Sequence, residues 1–180
     1  REAEHALGPE AWAQHRELEA ALGPAPLAGQ PRVIHGDTKL ANVLLPLAPG
    51  LEPVVVDFDT VLLGTLAMDF GDFLRSVASP KEQREVEKQG ALLARLSAAG
   101  AAFLEPLGPL GEASLSALAP APAAMSWMLA QRFLTDHLEG DRYFAVTARG
   151  DNLQRGLATL ALAHRLLRLA PALGKALARP

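Results

Sequence analysis

The sequence predicts a mainly helical α+β fold, and two features of the chain lead to that prediction. Ala and Leu are abundant and β-branched runs are few, a composition that favours helix. Residues 32–59 are the exception, because their short Val-rich runs end in carboxylates and indicate a small β-structure that carries a site. The 180 residues fit one domain, residues 1–180.

The first half of the chain divides into one helix and three short strands. A helix is predicted over residues 9–22, because Pro9 suits a first helical turn and Gly23 suits a stop. A connection rich in Gly and Pro follows. The strands are predicted over residues 32–34, 42–45 and 54–56, with a turn over residues 46–53.

After Thr60 the chain is predicted to return to helix. Ser79 and the Pro and Glu that follow it form a start signal for a helix that reaches residue 99. Gly and Pro interrupt residues 106–122, where only a short helix near Leu115 is expected. A further helix covers residues 123–138, and a last one is capped by Asp151 and ended by Pro171.

Composition excludes several classes of protein. A net charge of -3 gives no overall field for nucleic acid or an anionic membrane. The absence of cysteine excludes disulfides, thiolate catalysis and Cys-ligated metal. No apolar run has the length of a membrane span, and the N-terminus has no signal-peptide stretch. We therefore expect a cytoplasmic protein without a nucleic-acid or membrane partner.

Polar side chains cluster around the predicted strands. Asp37 and Asn42 stand five residues apart with Lys39 between them, and Asp57 and Asp59 end the third strand. Phosphoryl transfer needs such a set: a carboxylate to accept the proton of the attacking hydroxyl, hard oxygen ligands for Mg²⁺, and a cation for the transferred group. The alternative is a plain turn, in which Asp and Asn are common.

These residues carry a resemblance to a known superfamily. The run His-Gly-Asp-Thr-Lys-Leu-Ala-Asn at residues 35–42, followed by Asp-Phe-Asp at residues 57–59, resembles the catalytic and metal loops of the aminoglycoside phosphotransferase and choline kinase superfamily. Protein kinases show the same spacing. The resemblance implies a protein-kinase-like C-terminal lobe that uses ATP and Mg²⁺. It makes Asp37 the base, Asn42 and Asp57 the metal ligands, and Lys39 a contact of the γ-phosphate.

The neighbouring polar residues have more than one interpretation. Asp59 is a second metal ligand, a sugar contact or a structural acceptor. His35 is either a general base or, as we expect, a structural residue that braces the loop. Asp69 is expected to hydrogen-bond loop backbone, as the equivalent residue of the superfamily does.

A narrower resemblance involves two later segments. Together with the loops, residues 68–75 and 132–144 resemble N-acetylhexosamine 1-kinases. In that family the last segment supplies an arginine and a tyrosine to the sugar pocket, and these positions correspond to Arg132 and Tyr143. The alternatives are an ordinary helix pair between Arg132 and Asp136, four residues later, and ordinary packing for Tyr143.

The resemblance also implies a missing part. No Gly-rich hairpin and no strand lysine with a partner glutamate precede Val33, so we expect a fragment of a two-lobe kinase whose N-terminal lobe is its partner. The acceptor is expected to be a sugar. The alternatives are a kinase of another small alcohol, such as an aminoglycoside or a choline-like amine, and a non-catalytic module that binds a ligand or a protein.

Overall fold

A computed structural model describes residues 2–23, 25, 27–79 and 89–178 of the chain. The helices are α1 (Glu2–Leu22), α2 (Leu66–Ala78), α3 (Gln89–Leu104), α4 (Glu112–Leu118), α5 (Ala121–Leu138) and α6 (Asp151–Leu177). The strands are β1 (Arg32–Ile34), β2 (Val43–Leu44), β3 (Val54–Val55) and β4 (Leu62–Gly64). The protein is therefore mainly helical with small antiparallel sheets, and the predicted fold class is confirmed.

The strands form two small antiparallel sheets. β1 pairs with β4, with Ile34 opposite Leu62, and β2 pairs with β3, with Val43 opposite Val55. Ile34 is buried, whereas Val33 beside it is 72% exposed. β4 is absent from the predicted strands because its sequence, Leu-Leu-Gly, contains no β-branched or aromatic residue. Its pairing with β1 is a long-range contact that local propensity does not reveal.

The helix boundaries agree with the sequence in part. The predicted helix over residues 9–22 is the part of α1 that follows a kink at Gly8, and α4 covers the short helix expected near Leu115. α3 continues past residue 99 to Leu104, which is buried. Ser79 directly follows the last residue of α2. The Pro and Glu that complete the predicted helix start after Ser79 lie outside the described residues.

Pro171 does not end the last helix, so that prediction is wrong. α6 continues through this residue to Leu177. A proline inside a helix costs about 3 kcal/mol, because it removes a hydrogen bond and crowds the preceding turn. Leu169 and Leu173 on either side of it are buried, and burial of a leucine contributes about 1.5–3 kcal/mol. Core packing therefore offsets the cost of the proline.

Asp151 begins α6 but is not its cap, so this prediction is also wrong. The cap position belongs to Gly150, with a φ of 96°. The Asp151 carboxylate instead accepts hydrogen bonds from the N–H groups of Thr147 and Ala148, at 2.7 and 3.0 Å. These two donors hold the pKa of Asp151 below its ordinary value. The carboxylate thus shapes the loop that enters the helix.

The core lies where α2 and α6 pack against α5. α2 and α5 approach closely at Gly71, where a Cβ would lie 2.7 Å from the carbonyl oxygen of Ala121. On α2 the buried apolar residues Phe70, Leu74 and Val77 follow helical spacing and face this core. Among the described residues, no helix is both long enough and apolar enough to cross a membrane.

Candidate active site

The loop that follows β1 carries the first candidate residues, His35 and Asp37, on either side of Gly36. Gly36 has a φ of 82°, in the left-handed region that favours glycine. A Cβ at this position would lie 2.8 Å from Cδ2 of Leu62 and would also meet the carbonyl oxygen of Thr60. Glycine therefore lets the loop lie directly against the segment that leads into β4.

Asp69, in the first turn of α2, holds this loop through its carboxylate. Its Oδ2 accepts a hydrogen bond from the N–H of His35 and its Oδ1 accepts one from the N–H of Gly36, both at 2.9 Å. The hydroxyl of Thr38 donates to the main-chain carbonyl of Asp69 at 2.6 Å. Hydrogen bonds to a charged carboxylate are strong, so the loop is fixed to the start of α2.

The ring of His35 joins two loops. Its Nδ1 lies 3.3 Å from the N–H of Asp37, and its Nε2 lies 3.1 Å from the carbonyl oxygen of Val56. An N–H must donate and a carbonyl must accept, so Nε2 carries the proton and Nδ1 is the acceptor. The ring also packs on Phe58, with centroids 5.1 Å apart. Both nitrogens are therefore engaged with backbone, an arrangement typical of a bracing residue and not of a general base.

Asp37 lies at the centre of a polar cluster. Nζ of Lys39 donates to its Oδ2 at 2.5 Å, and the amide nitrogen of Asn42 donates to the same oxygen at 3.1 Å. Asn42 also donates to the carbonyl oxygen of Asp37 at 2.8 Å, and it is buried. Within the described part of the chain, the other carboxylate oxygen of Asp37 receives no such hydrogen bond, which leaves it able to accept one from a bound molecule.

Lys39 carries its positive charge at neutral pH. The hydrogen bond to Asp37 raises the pKa of Lys39 above its ordinary value, and partial burial acts in the opposite direction. The negative charges of Asp37, Asp57 and Asp72 add to the increase. A lysine in this setting remains protonated and can offset the charge of a phosphoryl group.

Asp57 approaches the cluster from the other loop. The N–H of Val56 donates to the carbonyl oxygen of Asn42 at 3.0 Å, which places the two loops side by side. Oδ2 of Asp57 lies 3.7 Å from Nζ of Lys39, so the ammonium stands between the carboxylates of Asp57 and Asp37. Asp57 has a φ of 74°, a left-handed conformation that aspartate adopts more readily than most residues with a side chain.

The oxygen donors here fit Mg²⁺. Asn42 donates through its amide nitrogen, so its amide oxygen keeps both lone pairs, and the carboxylate of Asp57 is 42% exposed. Mg²⁺ usually takes one or two carboxylates and completes its shell with water and phosphate oxygens. No group of three or more His, Cys, Asp or Glu side chains that could hold a metal occurs in the residues described.

Asp59 stands apart from the cluster. It lies in the 3-10 turn Phe58–Thr60 with an exposed side chain. Over residues 27–79 and the other described ranges, no hydrogen bond or ion pair joins its carboxylate to Lys39 or Asn42. The structure thus brings together Asp37, Lys39, Asn42 and Asp57, and it does not add Asp59 to them.

Arg132 and Tyr143 form a second group. Nη2 of Arg132 donates to the hydroxyl of Tyr143 at 3.1 Å. The guanidinium also lies over the rings of Tyr143 and Phe144, 5.3 and 5.4 Å from their centroids, which is a cation–π geometry. These side chains line a cavity of about 480 Å³, whose wall also includes Gln131, Thr135 and Glu139.

Asp136 positions this group and forms no ion pair with Arg132, so the alternative of a helix pair between the two residues is wrong. The buried carboxylate of Asp136 accepts hydrogen bonds from the N–H groups of residues 142–144, at 2.8 to 2.9 Å, and from the amide of Asn152 at 2.8 Å. Burial by itself would raise the pKa of Asp136, but the three backbone donors outweigh it and lower the pKa. The turn that carries Tyr143 is therefore fixed to α5.

The sequence analysis missed this role of Asp136, although a signal was present. A carboxylate in the last turn of a helix faces the negative end of the helix dipole and is disfavoured there. Asp136 tolerates that position because four donors converge on it. An acidic residue just before a helix end, with a Gly stop after it, is thus a reason to look for donors in the following turn.

Arg132 lies on α5, which packs against α2, the helix that holds the loop of Asp37. Gly71 lies against Ala121, whereas Met68, about one turn earlier in α2, lines a cavity with Met128, two turns later in α5. The helices therefore run antiparallel, and Arg132 is about 6 Å further along α5 from Met128. The start of α2, which binds the backbone of His35 and Gly36, is at this end, whereas the N–H of Leu40, next to Lys39, donates to the hydroxyl of Ser76 near the other end of α2. No hydrogen bond or ion pair among the described side chains joins the two groups directly.

The fold is of the kinase-like α+β class, mainly helical with small sheets that carry the cluster. The phosphotransferase enzyme family (APH) matches residues 1–107 of the chain. This stretch is more than half of the 180 residues and includes the whole Asp37 cluster, whereas Arg132 and Tyr143 lie beyond it. The chain belongs to this family, whose members are phosphotransferases.

Proposed function

We propose that this protein transfers the γ-phosphoryl group of ATP to a hydroxyl of a small molecule, preferably the anomeric hydroxyl of an N-acetylhexosamine. The proposal rests on one observation: the ammonium of Lys39 lies between the carboxylates of Asp37 and Asp57, beside the buried amide of Asn42. Membership of a phosphotransferase family supports the reaction class. The cavity at Arg132 supports a polar acceptor of sugar size.

Asp37 acts as the general base in this proposal. Its unengaged carboxylate oxygen accepts the proton of the acceptor hydroxyl while the hydroxyl oxygen forms a bond to the γ-phosphorus. The bond from the γ-phosphorus to the bridging oxygen breaks at the same time, and ADP leaves with the electron pair. The charge of Lys39 offsets negative charge on the transferred group. His35 and Asp69 hold the loop so that Asp37 keeps its orientation.

Asn42 and Asp57 would hold Mg²⁺, which supplies charge neutralisation at the triphosphate. Their oxygens suit a metal that takes few protein ligands. Asp59 is the candidate for an additional Mg²⁺ ligand, since it follows Asp57 by two residues and its side chain is exposed to solvent.

The sugar contacts are assigned to Arg132 and Tyr143. The guanidinium offers several donors in a fixed plane, which suits the hydroxyl and carbonyl oxygens of an acylated sugar. Tyr143 is 70% exposed, so the ring face opposite Arg132 can pack on the apolar face of a sugar ring. Their mutual contacts hold both side chains in place before the acceptor binds.

An aminoglycoside or another amine-bearing alcohol is the second candidate acceptor. Glu139 lines the same cavity as Arg132 and is exposed, so its carboxylate can pair with a ligand ammonium.

A coupled assay for ADP release by the full-length protein tests both candidates. The panel contains N-acetylglucosamine, N-acetylgalactosamine, glucose, an aminoglycoside and choline, each with Mg-ATP. We expect the two N-acetylhexosamines to give the highest kcat/KM, and Asp37→Asn to remove the activity. Preference for the aminoglycoside would favour the second candidate. No ADP release with any alcohol would favour a non-catalytic binding module.

A further inference from the structure

A second cavity lies beside the Arg132 cavity and has a different chemical character. Its volume is about 680 Å³, and Met128 lines both cavities. Its wall is mainly apolar, with side chains that include Leu27, Ala28, Met68 and Trp127. Among the side chains that line it, only Glu19 carries a charge, and that carboxylate lies 3.8 Å from Arg16 and is well exposed. The cavity is thus suited to a neutral, apolar group.

Trp127 forms a fixed part of the wall. Its indole N–H donates to Nδ1 of His15 at 3.1 Å, and the ring of Trp12 stacks on His15 with centroids 5.1 Å apart. The one polar atom of the Trp127 ring is therefore satisfied inside the protein, so the ring does not need a polar ligand atom.

The cavity adjoins the proposed acceptor site. Met128 connects it to the cavity of Arg132 and Tyr143. A molecule that contacts Arg132 can therefore extend a substituent past Met128 into this cavity.

We propose that this cavity binds a neutral acyl chain several carbons long, carried on the amide nitrogen of the hexosamine acceptor. This inference rests on the function proposed above. The volume is in the range of complete ligand pockets, which is more than an acetyl group requires. The acceptor class is thus N-acylhexosamines with acyl groups longer than acetyl.

A chain-length series tests the proposal with the full-length protein. kcat/KM is measured for N-acetyl-, N-butanoyl- and N-hexanoylglucosamine. We expect it to rise with length, by up to about fourfold for each added methylene group that is buried. Ala28→Phe fills the cavity from an exposed position and should remove this rise while N-acetylglucosamine is still phosphorylated. Ala13→Phe, at an exposed position of α1 outside the cavity wall, is the matched control and should keep the rise.

A binding measurement separates this inference from the proposed function. Trp12→Phe leaves Trp127 as the single tryptophan, so its fluorescence reports on the cavity. We expect N-hexanoylglucosamine to shift the emission of Trp127 at lower concentration than N-acetylglucosamine does. An emission shift without phosphorylation of any hexosamine would overturn the function and keep the acyl cavity. Equal kcat/KM across the series in the unmodified protein, with no emission shift, would overturn the acyl cavity and leave the kinase function standing.

Discussion

Oδ1 of Asp69 accepts a hydrogen bond from the N–H of Gly36 at 2.9 Å, across 33 residues of sequence. The bond joins the start of α2 to the residue just before Asp37. It requires the left-handed backbone that Gly36 adopts, with a φ of 82°. The position of the proposed base therefore depends on a carboxylate and on a glycine, neither of which takes part in the chemistry.

Gly36→Ala should disable the site and destabilise the protein. The left-handed conformation costs about 1–2 kcal/mol for a residue with a Cβ, and here the Cβ would also meet Leu62 and the backbone of Thr60. Gly50→Ala is a matched control, because Gly50 has a φ of 86° but nothing within 4 Å of its Cβ position. Stability is measured by urea unfolding and activity by kcat. Gly50→Ala should lose about 1 kcal/mol of stability and keep a normal kcat. Gly36→Ala should lose more stability than Gly50→Ala and should also lose kcat. Equal effects would mean that the close approach at Gly36 is unimportant.

Local sequence patterns were sufficient for the residues of the cluster. Asp37, Lys39, Asn42 and Asp57 were found from their spacing and from the short Val-rich runs around them, and the structure places them in one chain of contacts. Their catalytic roles stay predictions. The mainly helical fold followed in the same way from composition, because helix formation depends on local propensity.

Long-range contacts account for what the sequence analysis missed. β4 exists because Leu62 pairs with Ile34, and the helix at Pro171 continues because its neighbours are buried. The convergence of donors on Asp136 depends on a turn that local patterns do not specify. In each case the decisive partner lies on another element, or in a turn whose conformation a one-dimensional pattern does not fix.

Asp57→Asn should reduce activity far more than Asp59→Asn. Asp57 lies 3.7 Å from the ammonium of Lys39 and is the proposed Mg²⁺ ligand, whereas no hydrogen bond or ion pair joins Asp59 to the cluster in the described structure. Both changes keep the size of the side chain and remove one charge. The measurement is kcat/KM for ATP over a range of Mg²⁺ concentrations, where excess Mg²⁺ should recover little activity in Asp57→Asn. A greater loss in Asp59→Asn would transfer the ligand role to that residue.

The stability of the protein should fall at acid pH in part through Asp136. Its pKa is lower in the folded protein than the ordinary value near 3.9, so the unfolded chain binds the proton more readily. The stabilisation is complete above about pH 5 and is lost progressively as the pH falls through the unfolded-state pKa towards the lower, folded-state pKa. Urea unfolding between pH 2 and 6 should therefore show a steeper loss for the natural protein than for Asp136→Asn. Parallel curves would contradict the contribution of Asp136. The pKa of Asp151 is also lowered, but this residue is present in both proteins. It therefore contributes equally to the pH dependence of stability in each, and the difference between the two curves reports on Asp136.

Asp37→Asn should lower kcat with little change in the KM for the sugar. The amide keeps the shape of the side chain and removes the proton acceptor, and general-base catalysis typically contributes about 10²–10⁴-fold. The loss should therefore appear in the chemical step, since an interaction made only in the transition state affects kcat. Steady-state kinetics with the best sugar provides the measurement. An unchanged kcat with a raised KM would remove Asp37 from the chemistry and make it a binding residue.

Arg132→Ala should have the opposite effect and raise the KM for the sugar with a smaller change in kcat. Arg132 is proposed to hold the acceptor in both the ground state and the transition state, and loss of such uniform binding appears in KM. A hydrogen bond from a charged group is worth about 1.5–3 kcal/mol, which corresponds to a roughly 10- to 150-fold increase. Arg149→Ala, at an exposed position outside the cavity, is the control and should leave the KM unchanged. An unchanged KM in Arg132→Ala would show that Arg132 does not hold the sugar. Asp136 cannot then be its partner, because other donors already occupy that carboxylate, so the role of Arg132 would be to pack on Tyr143 and Phe144. The proposal of a hexosamine acceptor would lose its main support.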